Sequence, residues 1–360
     1  MKFRKLPLIL IVILVVLALV AIVATFTGGN SIIEEPKGDA SVVVCGDVMF
    51  ARKMPGVLSS GESPFRYVDN VTGSADLLLF NFENAATSSG NAVKGDVPLK
   101  CNPSYVPLAK ANNNTVAVLA NNHLFDYGVS GMEDTLENLD DAGVIHAGAG
   151  DNQSQANAPV SSNLNGRNVT ILNYMDSNNF KEYSNEVMPQ ANGSDPGYSA
   201  YNSDLAKKQI QEAKANGSDT VIVYFHFGNE YSHSPNEDQK KMAHEVIDDG
   251  ADVVLGSHPH VTQGIEVYNG KPIFYSLGNF IFDQSNTATH SAYMVKIDLV
   301  NDTGECTVYP IIISGYLPHF MDSSDGTSLL NSLSPQCDDL EITSEGTGKL
   351  KFNLTSDSND

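Results

Sequence analysis

Asp252-Val253-Val254-Leu255-Gly256-Ser257-His258-Pro259-His260 combines an apolar, β-branched run with a turn that carries two histidines. The apolar half has the composition of a buried parallel strand, and the loop after such a strand is where α/β proteins bind ligands. Two imidazoles separated by a rigid proline can reach two adjacent points, for example two metal ions. The alternative is a surface turn in which the histidines bind nothing.

The same pattern, an apolar strand followed at once by polar side chains, recurs along the chain. Strands are predicted at residues 41–45, 77–80, 115–120, 169–172, 220–225, 253–255, 273–280, 292–299 and 307–313. The polar residues that follow them are Asp47, Glu83, Asn122, His123, His226, His258 and His260. Because parallel strands bring their carboxyl ends to one edge of a sheet, we expect these side chains to converge there. Taken singly, each has a simpler explanation as a turn, cap or structural residue.

Carboxylates, an amide oxygen and imidazoles form a mixed O/N set that suits Mn, Fe or Zn. A centre with two ions needs a bridging carboxylate, and Glu83 is the candidate. Cysteine zinc sites are not expected, because the four cysteines lack CxxC spacing. Cys45 is predicted to be a small buried apolar residue, whereas Cys306 and Cys337 could form a disulfide in an oxidising compartment.

Helices predicted at residues 130–142, 205–215 and 234–249 alternate with the strands, which indicates one mixed α/β domain at residues 40–318. Residues 319–360 are polar and acidic. They predict either a loosely attached appendage or a partly disordered tail, with a short strand at residues 349–354.

The N-terminus has a basic head, residues 1–5, and then an uncharged apolar run from Leu6 to Phe26. The run is long enough for one bilayer core of about 30 Å. It favours a transmembrane signal anchor within residues 1–27 over a cleaved signal peptide, with residues 28–39 as a linker. The basic head predicts a single-pass protein of the cell membrane whose C-terminal domain is extracytoplasmic.

Composition limits the partners. The chain has 360 residues, 41% of them apolar, and a formal net charge of −22. The length and apolar content suffice for a sizeable core. The negative charge argues against nucleic acid as a partner, because phosphate binding needs clustered Lys and Arg.

The polar motifs, in this order, resemble those of the calcineurin-like metallophosphoesterases and, more closely, those of the CapA family of poly-γ-glutamate capsule biosynthesis proteins. The matching motifs are Gly46-Asp47, Asn81-Phe82-Glu83, Asn121-Asn122-His123, His226-Phe227-Gly228, Gly256-Ser257-His258-Pro259-His260 and Ser276-Leu277-Gly278-Asn279-Phe280. The resemblance covers residues 41–313. It implies a four-layer α/β/β/α sandwich with two central sheets.

The resemblance also implies roles for single residues. Asp47 and His260 would hold one divalent ion, Glu83 would lie between two ions, and the second ion would be held by Asn122, His226 and His258. A metal-bound hydroxide would be the nucleophile. His123 would donate a proton to the leaving group, oriented by Asp126. Arg52 and Lys100 would hold an anionic group of the substrate, although Lys100 also fits a plain surface lysine.

The chain departs from the superfamily pattern at two positions. Met49 stands where the superfamily has a histidine, and a thioether is a poor ligand for hard divalent ions. Glu83 stands where it has an aspartate. Three protein ligands for the first ion fit an open catalytic site, a site with a single ion or a metal-free protein.

Three functions remain open at this point. The first is a membrane-anchored, metal-dependent hydrolase of a phosphoester or of an amide bond in a capsular polymer. The second is a non-catalytic subunit that binds an anionic polymer such as poly-γ-glutamate and works with other capsule synthesis subunits. The third is a degenerate metallophosphoesterase fold that serves as a surface scaffold.

Overall fold

A computed structural model describes residues 37–354, apart from residues 94, 96, 181–183, 185, 335 and 336. The predicted basic head, the transmembrane segment and most of the linker lie outside these residues. Within the described part of the chain, no helix is both long and apolar enough to cross a membrane.

Ten strands form the first sheet, and its central part is parallel. Its strands are β1 Ala40–Val48, β2 Leu77–Phe82, β5 Thr115–Val118, β6 Ile145–Ala147, β15 Asn279–Ile281, β16 Ser291–Val300, β17 Thr303–Ser314, β18 Leu317–Phe320, β19 Glu341–Ile342 and β20 Gly348–Asn353. The order is β19-β20-β17-β16-β1-β2-β5-β6; β15 pairs with β1, and β18 pairs with β17. Strands β1, β2, β5 and β6 run parallel, and β16 continues antiparallel to β1.

Six strands form the second sheet, with a parallel centre and antiparallel edges. They are β8 Val160–Leu164, β9 Arg167–Met175, β11 Thr220–His226, β12 Val253–Ser257, β13 Ile265–Tyr268 and β14 Lys271–Phe274. Their order is β13-β14-β12-β11-β9-β8. Two short pairs lie beside the sheets, namely β3 Ala85–Ala86 with β4 Lys100–Cys101 and β7 Ala149–Gly150 with β10 Gly197–Tyr198.

Seven α-helices connect the strands of the described residues. They are α1 Pro55–Leu58, α2 Asp69–Thr72, α3 Gly128–Ala142, α4 Gln153–Ala156, α5 Ser203–Ala215, α6 Glu237–Asp248 and α7 Ser323–Leu333. Short 3₁₀ helices span Pro103–Ala109, Ser177–Phe180 and Thr287–His290. Helices α3, α5 and α6 are the three that the sequence predicted.

Three apolar clusters separate four layers. Val42 and Val44 of β1 point into the cluster between the two sheets, and Val43 and Cys45 point into the cluster under α3. This follows from the alternation of side chains along a strand. A third cluster packs the second sheet against α5 and α6. Both sheets are therefore covered on both faces, which explains their nearly continuous apolar sequences.

A hydrogen bond connects the two sheets directly above the middle cluster. The pairing of β1 with β2 shifts register between Val44 and Asp47, and the hydroxyl of Tyr224 on β11 donates to the Cys45 carbonyl at 3.0 Å. The pKa of Tyr224 is raised well above its usual value, mainly by burial and further by the nearby Asp47 carboxylate. The hydroxyl therefore stays protonated and able to donate. The register shift orients Asp47, and Tyr224 satisfies the carbonyl there.

We expect Tyr224→Phe to lower the free energy of unfolding by about 1–2 kcal/mol, because a buried carbonyl loses its donor. Urea denaturation of the variant measures this loss. Tyr309→Phe is the matched control, since the half-buried Tyr309 hydroxyl makes no hydrogen bond within the described residues. Equal stability of Tyr224→Phe and wild type would contradict the assigned bond.

The described residues between 319 and 354 do not form the separate appendage that was predicted at 319–360. Strand β20 pairs with β17 over Thr303↔Asn353 to Val308↔Gly348, which makes it part of the first sheet. Leu330 and Leu333 of α7 are buried in the cluster that β16 and β17 share with the second sheet. The sequence prediction was wrong here because the few apolar residues Leu350 and Phe352, alternating with exposed lysines, suffice to bury one face of β20.

The predicted strand at residues 273–280 is also divided. Its first half is β14 of the second sheet, and its last residues begin β15 of the first sheet. The chain crosses between the sheets at residues 275–278, where Gly278 has φ 75°. An apolar run that passes from one buried sheet to another has no break in hydrophobicity, so the sequence showed one strand.

All four cysteines are buried and unpaired, and Cys45 lies fully inside the core as predicted. Burial raises the pKa of Cys101 to about 12 and that of Cys306 well above its usual value. The structure thus contains no disulfide between Cys306 and Cys337.

Thiol labelling of the full-length protein should therefore be negligible in the native state and reach four groups after unfolding. At pH 8, a thiol with a pKa of about 12 is about one part in ten thousand thiolate, the reactive form. A disulfide reagent that releases a chromophore counts the groups. Two reactive thiols in denaturant would instead indicate a disulfide.

Candidate metal centre

The carboxyl ends of both sheets meet at one site. Asp47 lies near the end of β1, and Glu83 and Asn122 follow β2 and β5 of the first sheet. In the second sheet, His226 ends β11 and His258 follows β12. Convergence of the predicted residues is therefore observed, but at the junction of two sheets. The expectation of a single sheet edge was wrong, because the strand pattern does not reveal which sheet a strand joins.

The first potential metal-binding group contains Asp47, Glu83 and His260, all buried. Nδ1 of His260 lies 3.0 Å from Oδ1 of Asn279 and 3.3 Å from Oδ2 of Asp47. Two oxygens facing Nδ1 place the ring proton there and leave the lone pair on Nε2. Nε2 lies 3.9 Å from Oε1 of Glu83, so it points towards the shared carboxylate.

The second group contains Glu83, His226 and His258, also buried. Nδ1 of His226 lies 3.2 Å from the Ser257 hydroxyl, and Nε2 lies 2.9 Å from Oδ1 of Asn122 and 4.0 Å from Oε1 of Glu83. Two neighbouring ligands of one octahedral ion, each about 2.1 Å from it, are about 3 Å apart. The Asn122 and His226 atoms have this spacing.

These donors fit divalent metal ions. Glu83 belongs to both groups, which is the position that a bridging carboxylate requires. Oδ2 of Asp47 is buried and has no hydrogen-bond partner among the described residues, although an ionised carboxylate is costly to bury without compensation. The second group has an additional oxygen from Asn122, so the two groups differ in ligand number.

The backbone of the histidine loop is strained. His258 has φ 100° and His260 has φ 59°, values that non-glycine residues rarely adopt. The loop follows Gly256, where an added Cβ would lie 2.2 Å from the Tyr275 carbonyl oxygen. Only glycine allows β12 to approach β14 this closely, and the loop turns both rings towards Glu83.

His123 has the surroundings expected of an oriented proton donor. Its Nδ1 lies 2.7 Å from Oδ2 of Asp126, which also accepts from the Leu99 amide at 2.6 Å. Asn121 supports the same turn, because its Oδ1 accepts from the amides of His123 and Leu124. The Asp126 carboxylate is fully buried, so it fixes the orientation of the imidazole.

A cleft of about 700 Å³ opens above the metal groups. The residues that line this cleft include His123, His258, His260 and Arg52. Lys100 is not one of the lining residues within the described part of the chain. Lys100 lies on β4 with Nζ 4.4 Å from the Tyr127 ring centroid. Its predicted role in substrate binding is therefore not supported by its position, because alternation along the strand turns Leu99 to the cleft instead.

Met49 is not part of either metal group. Its side chain is buried in the apolar cluster under α3, and its sulfur accepts a hydrogen bond from the Ala51 amide at 2.9 Å. The thioether thus has a packing role. This leaves the first group with the three ligands that the sequence indicated.

Sequence reasoning missed the amides that hold the ligands. Asn81 Nδ2 donates to Oδ1 of Asp47 at 2.8 Å and lies 3.4 Å from Oε2 of Glu83. Asn279 orients His260 as described above. Asn81 could have been found, because residues i and i+2 of a strand share a face and Glu83 was already a candidate. For Asn279 no comparable local signal exists.

Comparisons with known proteins identify the family of this chain. The family described as "Bacterial capsule synthesis protein PGA_cap" matches residues 41–284, which include every candidate metal ligand. The chain belongs to this family. The resemblance to the CapA family that the motifs indicated is thereby confirmed.

Two relatives of this PGA_cap protein are CapA proteins of Bacillus. The PGA biosynthesis protein CapA of Bacillus subtilis (strain 168) is 37% identical over 279 residues, which cover 76% of this chain and 71% of the relative. The capsule biosynthesis protein CapA of Bacillus anthracis is 32% identical over 325 residues, 87% of this chain and 77% of the relative.

Among solved structures, the sulfate thiohydrolase SoxB of Thermus thermophilus is 14% identical, with a TM-score of 0.44. The alignment covers 85% of this chain and 62% of that one. The description of the fold therefore rests on the sheets of this PGA_cap protein itself.

The first metal group should depend on Asn279. We expect Asn279→Ala to weaken metal binding there about tenfold to hundredfold, because the His260 ring loses the partner that fixes its tautomer. Titration with Mn²⁺ or Zn²⁺, followed by elemental analysis after dialysis, measures the bound ions. The second group should be unchanged.

Asn70→Ala serves as the control for this experiment, since Asn70 is exposed and lies outside the cleft. If Asn279→Ala bound metal as tightly as Asn70→Ala at both groups, Asn279 would have no orienting role.

Proposed function

We propose that this PGA_cap protein is a metal-dependent hydrolase that acts in capsule or poly-γ-glutamate biosynthesis on a phosphoester or on an amide bond of the polymer. The observation that carries the proposal is the pair of buried ligand groups that share Glu83 beneath a cleft lined by His123. A site that served only as a scaffold would not require two buried carboxylates surrounded by imidazoles, because burying such charges is unfavourable.

Each of the two ligand groups would hold one divalent ion. Asp47, Glu83 and His260 would hold one divalent ion; Glu83, His226, His258 and Asn122 would hold the other. Ions bound there would act as Lewis acids and lower the pKa of water. The chemistry of the donors fits Mn, Fe or Zn.

His123 is the proposed general acid. Asp126 accepts the Nδ1 proton, which leaves Nε2 as the nitrogen that can protonate a leaving group in the cleft. The buried Asp126 carboxylate keeps the orientation of the imidazole. Arg52 lines the same cleft and provides a cation for an anionic part of the substrate.

The proposed location is the outer side of the cell membrane. The apolar run Leu6–Phe26 after a basic head supports a single-pass anchor, with the domain outside the cytoplasm. The names of the Bacillus relatives, which refer to capsule and PGA biosynthesis, support a role with other synthesis subunits and an anionic polymer.

A non-catalytic, polymer-binding subunit is the second candidate. The observation in its favour is Met49, which packs in the core and leaves the first group with three ligands. The two candidates differ in whether hydrolysis accompanies metal binding.

Two variants should distinguish a loss of hydrolysis alone from a loss of metal binding. Full-length protein in Mn²⁺ should hydrolyse bis(p-nitrophenyl) phosphate, or a γ-glutamyl anilide if amides are the substrates. His123→Ala should keep its metal but lose about a hundredfold to ten-thousandfold in kcat on the anilide or on diphenyl phosphate, whose leaving groups need a proton, and less on the p-nitrophenyl ester, because p-nitrophenolate leaves unprotonated. His258→Ala should lose both metal and activity. Absorbance assays and elemental analysis provide the measurements.

His146→Ala is the control, because His146 pairs with Asp140 at 3.2 Å outside the cleft. It should match wild type in both measurements. Wild type that binds metal but hydrolyses none of these probes would favour the polymer-binding subunit, and wild type without metal would exclude the hydrolase.

A further inference from the structure

We infer that Asp283 is a positioning residue that holds Arg52 at the cleft, so that Arg52 selects substrates with a second anionic group beside the reacting bond. The inference rests on the proposed function, because it assigns a substrate class to the same cleft. It concerns a segment that follows β15 and that no motif had marked as functional.

Asp283 uses both carboxylate oxygens to connect two loops. Oδ1 accepts from Nη2 of Arg52, and Oδ2 accepts from the Lys53 amide at 3.0 Å. The two loops leave the sheet side by side, because β1 and β15 are paired in parallel. The Asp283 side chain is only 2% exposed, so its charge requires these partners.

Arg52 is held in an unusual conformation at the rim of the cleft. Its φ is 52°, a left-handed value that non-glycine residues keep only where surrounding contacts hold them. The Asp283 carboxylate supplies such contacts by accepting hydrogen bonds from the Arg52 guanidinium and from the Lys53 amide. The Arg52 side chain is 32% exposed, and Asp283 is its hydrogen-bond partner among the described residues. The other donors of the guanidinium fork can therefore bind a ligand.

The aromatic ring of Phe282 contacts both this guanidinium and the ring of His260, a candidate metal ligand. The Arg52 Cζ lies 5.3 Å from the Phe282 ring centroid, and that centroid lies 5.0 Å from the centroid of the His260 ring. A group bound by Arg52 therefore lies beside the metal ligands rather than among them. This placement fits a second anionic group of the substrate and not the group that reacts.

The chemistry of the guanidinium specifies the ligand. Arginine presents a planar fork that binds carboxylate or phosphate through two parallel hydrogen bonds. The chain carries a net charge of −22, which repels anions in general. Recognition of an anionic group thus depends on a local cation that is rigidly oriented.

A purely structural salt bridge would have a different consequence. It would change stability but not the relative affinity for ligands with one and two anionic groups. The test therefore measures that ratio by titration calorimetry on full-length protein in Mn²⁺. The probes are glutarate against butyrate, and propane-1,3-diylbisphosphonate against propylphosphonate, whose C–P bonds are not hydrolysed.

In wild type, we expect the ligand with two anionic groups to bind about tenfold more tightly within at least one pair, as for a hydrogen bond between charged groups. Arg52→Gln should abolish the ratio and Arg52→Lys should restore part of it. Asp283→Asn should reduce the affinity ratio, because the side-chain NH₂ group of asparagine cannot accept a hydrogen bond and so leaves Arg52 or the Lys53 amide without its acceptor. The pair of ligands that shows this affinity ratio indicates whether the second anionic group of the substrate is a carboxylate or a phosphate.

Arg66→Gln is the matched control, since Arg66 also has a carboxylate partner, Glu62 at 3.6 Å, and an aromatic ring, Tyr67, but lies outside the cleft. It should keep the wild-type ratio. If Asp283→Asn unfolds, Asp283→Glu, which keeps the charge but displaces it, should still reduce the ratio.

Equal ratios in wild type and Arg52→Gln would overturn the inference. A full ratio in a folded Asp283 variant would overturn the positioning role. Binding is measured without turnover, so a protein that shows the Arg52-dependent ratio but hydrolyses nothing would reject the proposed hydrolase and retain the inference.

Discussion

Burial of the carboxylates of Asp47 and Glu83 is the constraint on which the site depends. Both side chains are fully buried, and such charges are stable only with compensating donors or cations. The amide of Asn81 contacts both carboxylates, and the rings of His226 and His260 lie within 4 Å of Glu83. The sheets must therefore meet here, because neither one alone carries all these groups.

The close approach of neighbouring strands within each sheet, beside the site, follows from glycines at Gly46 and Gly256. An added Cβ at Gly46 would lie 1.8 Å from the Gly278 carbonyl oxygen, and one at Gly256 would meet Tyr275. These contacts bring β1 next to β15, and β12 next to β14. Backbone strain at His258, His260 and Arg52 is confined to the loops that leave these strands. Such strain persists where the surrounding structure determines the conformation, as it does around this cleft.

The cleft has two zones of different chemistry. The inner zone is a buried set of oxygen and nitrogen ligands with Glu83 at its centre. The outer zone is a cationic rim in which Arg52 is held by Asp283 and stacked on Phe282. The Phe282 ring contacts both zones, through Arg52 and His260, so a ligand that occupies both extends along the cleft. This arrangement suits a substrate with separate reacting and anionic groups.

The sequence by itself determined the strand ends, the ligand types and the family. Local patterns contain this information, because an apolar run shows where a strand stops and the next residue shows what it presents. The candidate ligands Asp47, Glu83, Asn122, His226, His258 and His260 were predicted in this way. Only the tertiary structure decided that they come from two sheets, that residues 317–354 complete the first sheet, and that Lys100 lies outside the cleft. It also revealed Asn279 and Asp283, whose partners His260 and Arg52 are distant along the chain. Such pairings depend on strand order and register, which hydrophobic periodicity does not encode.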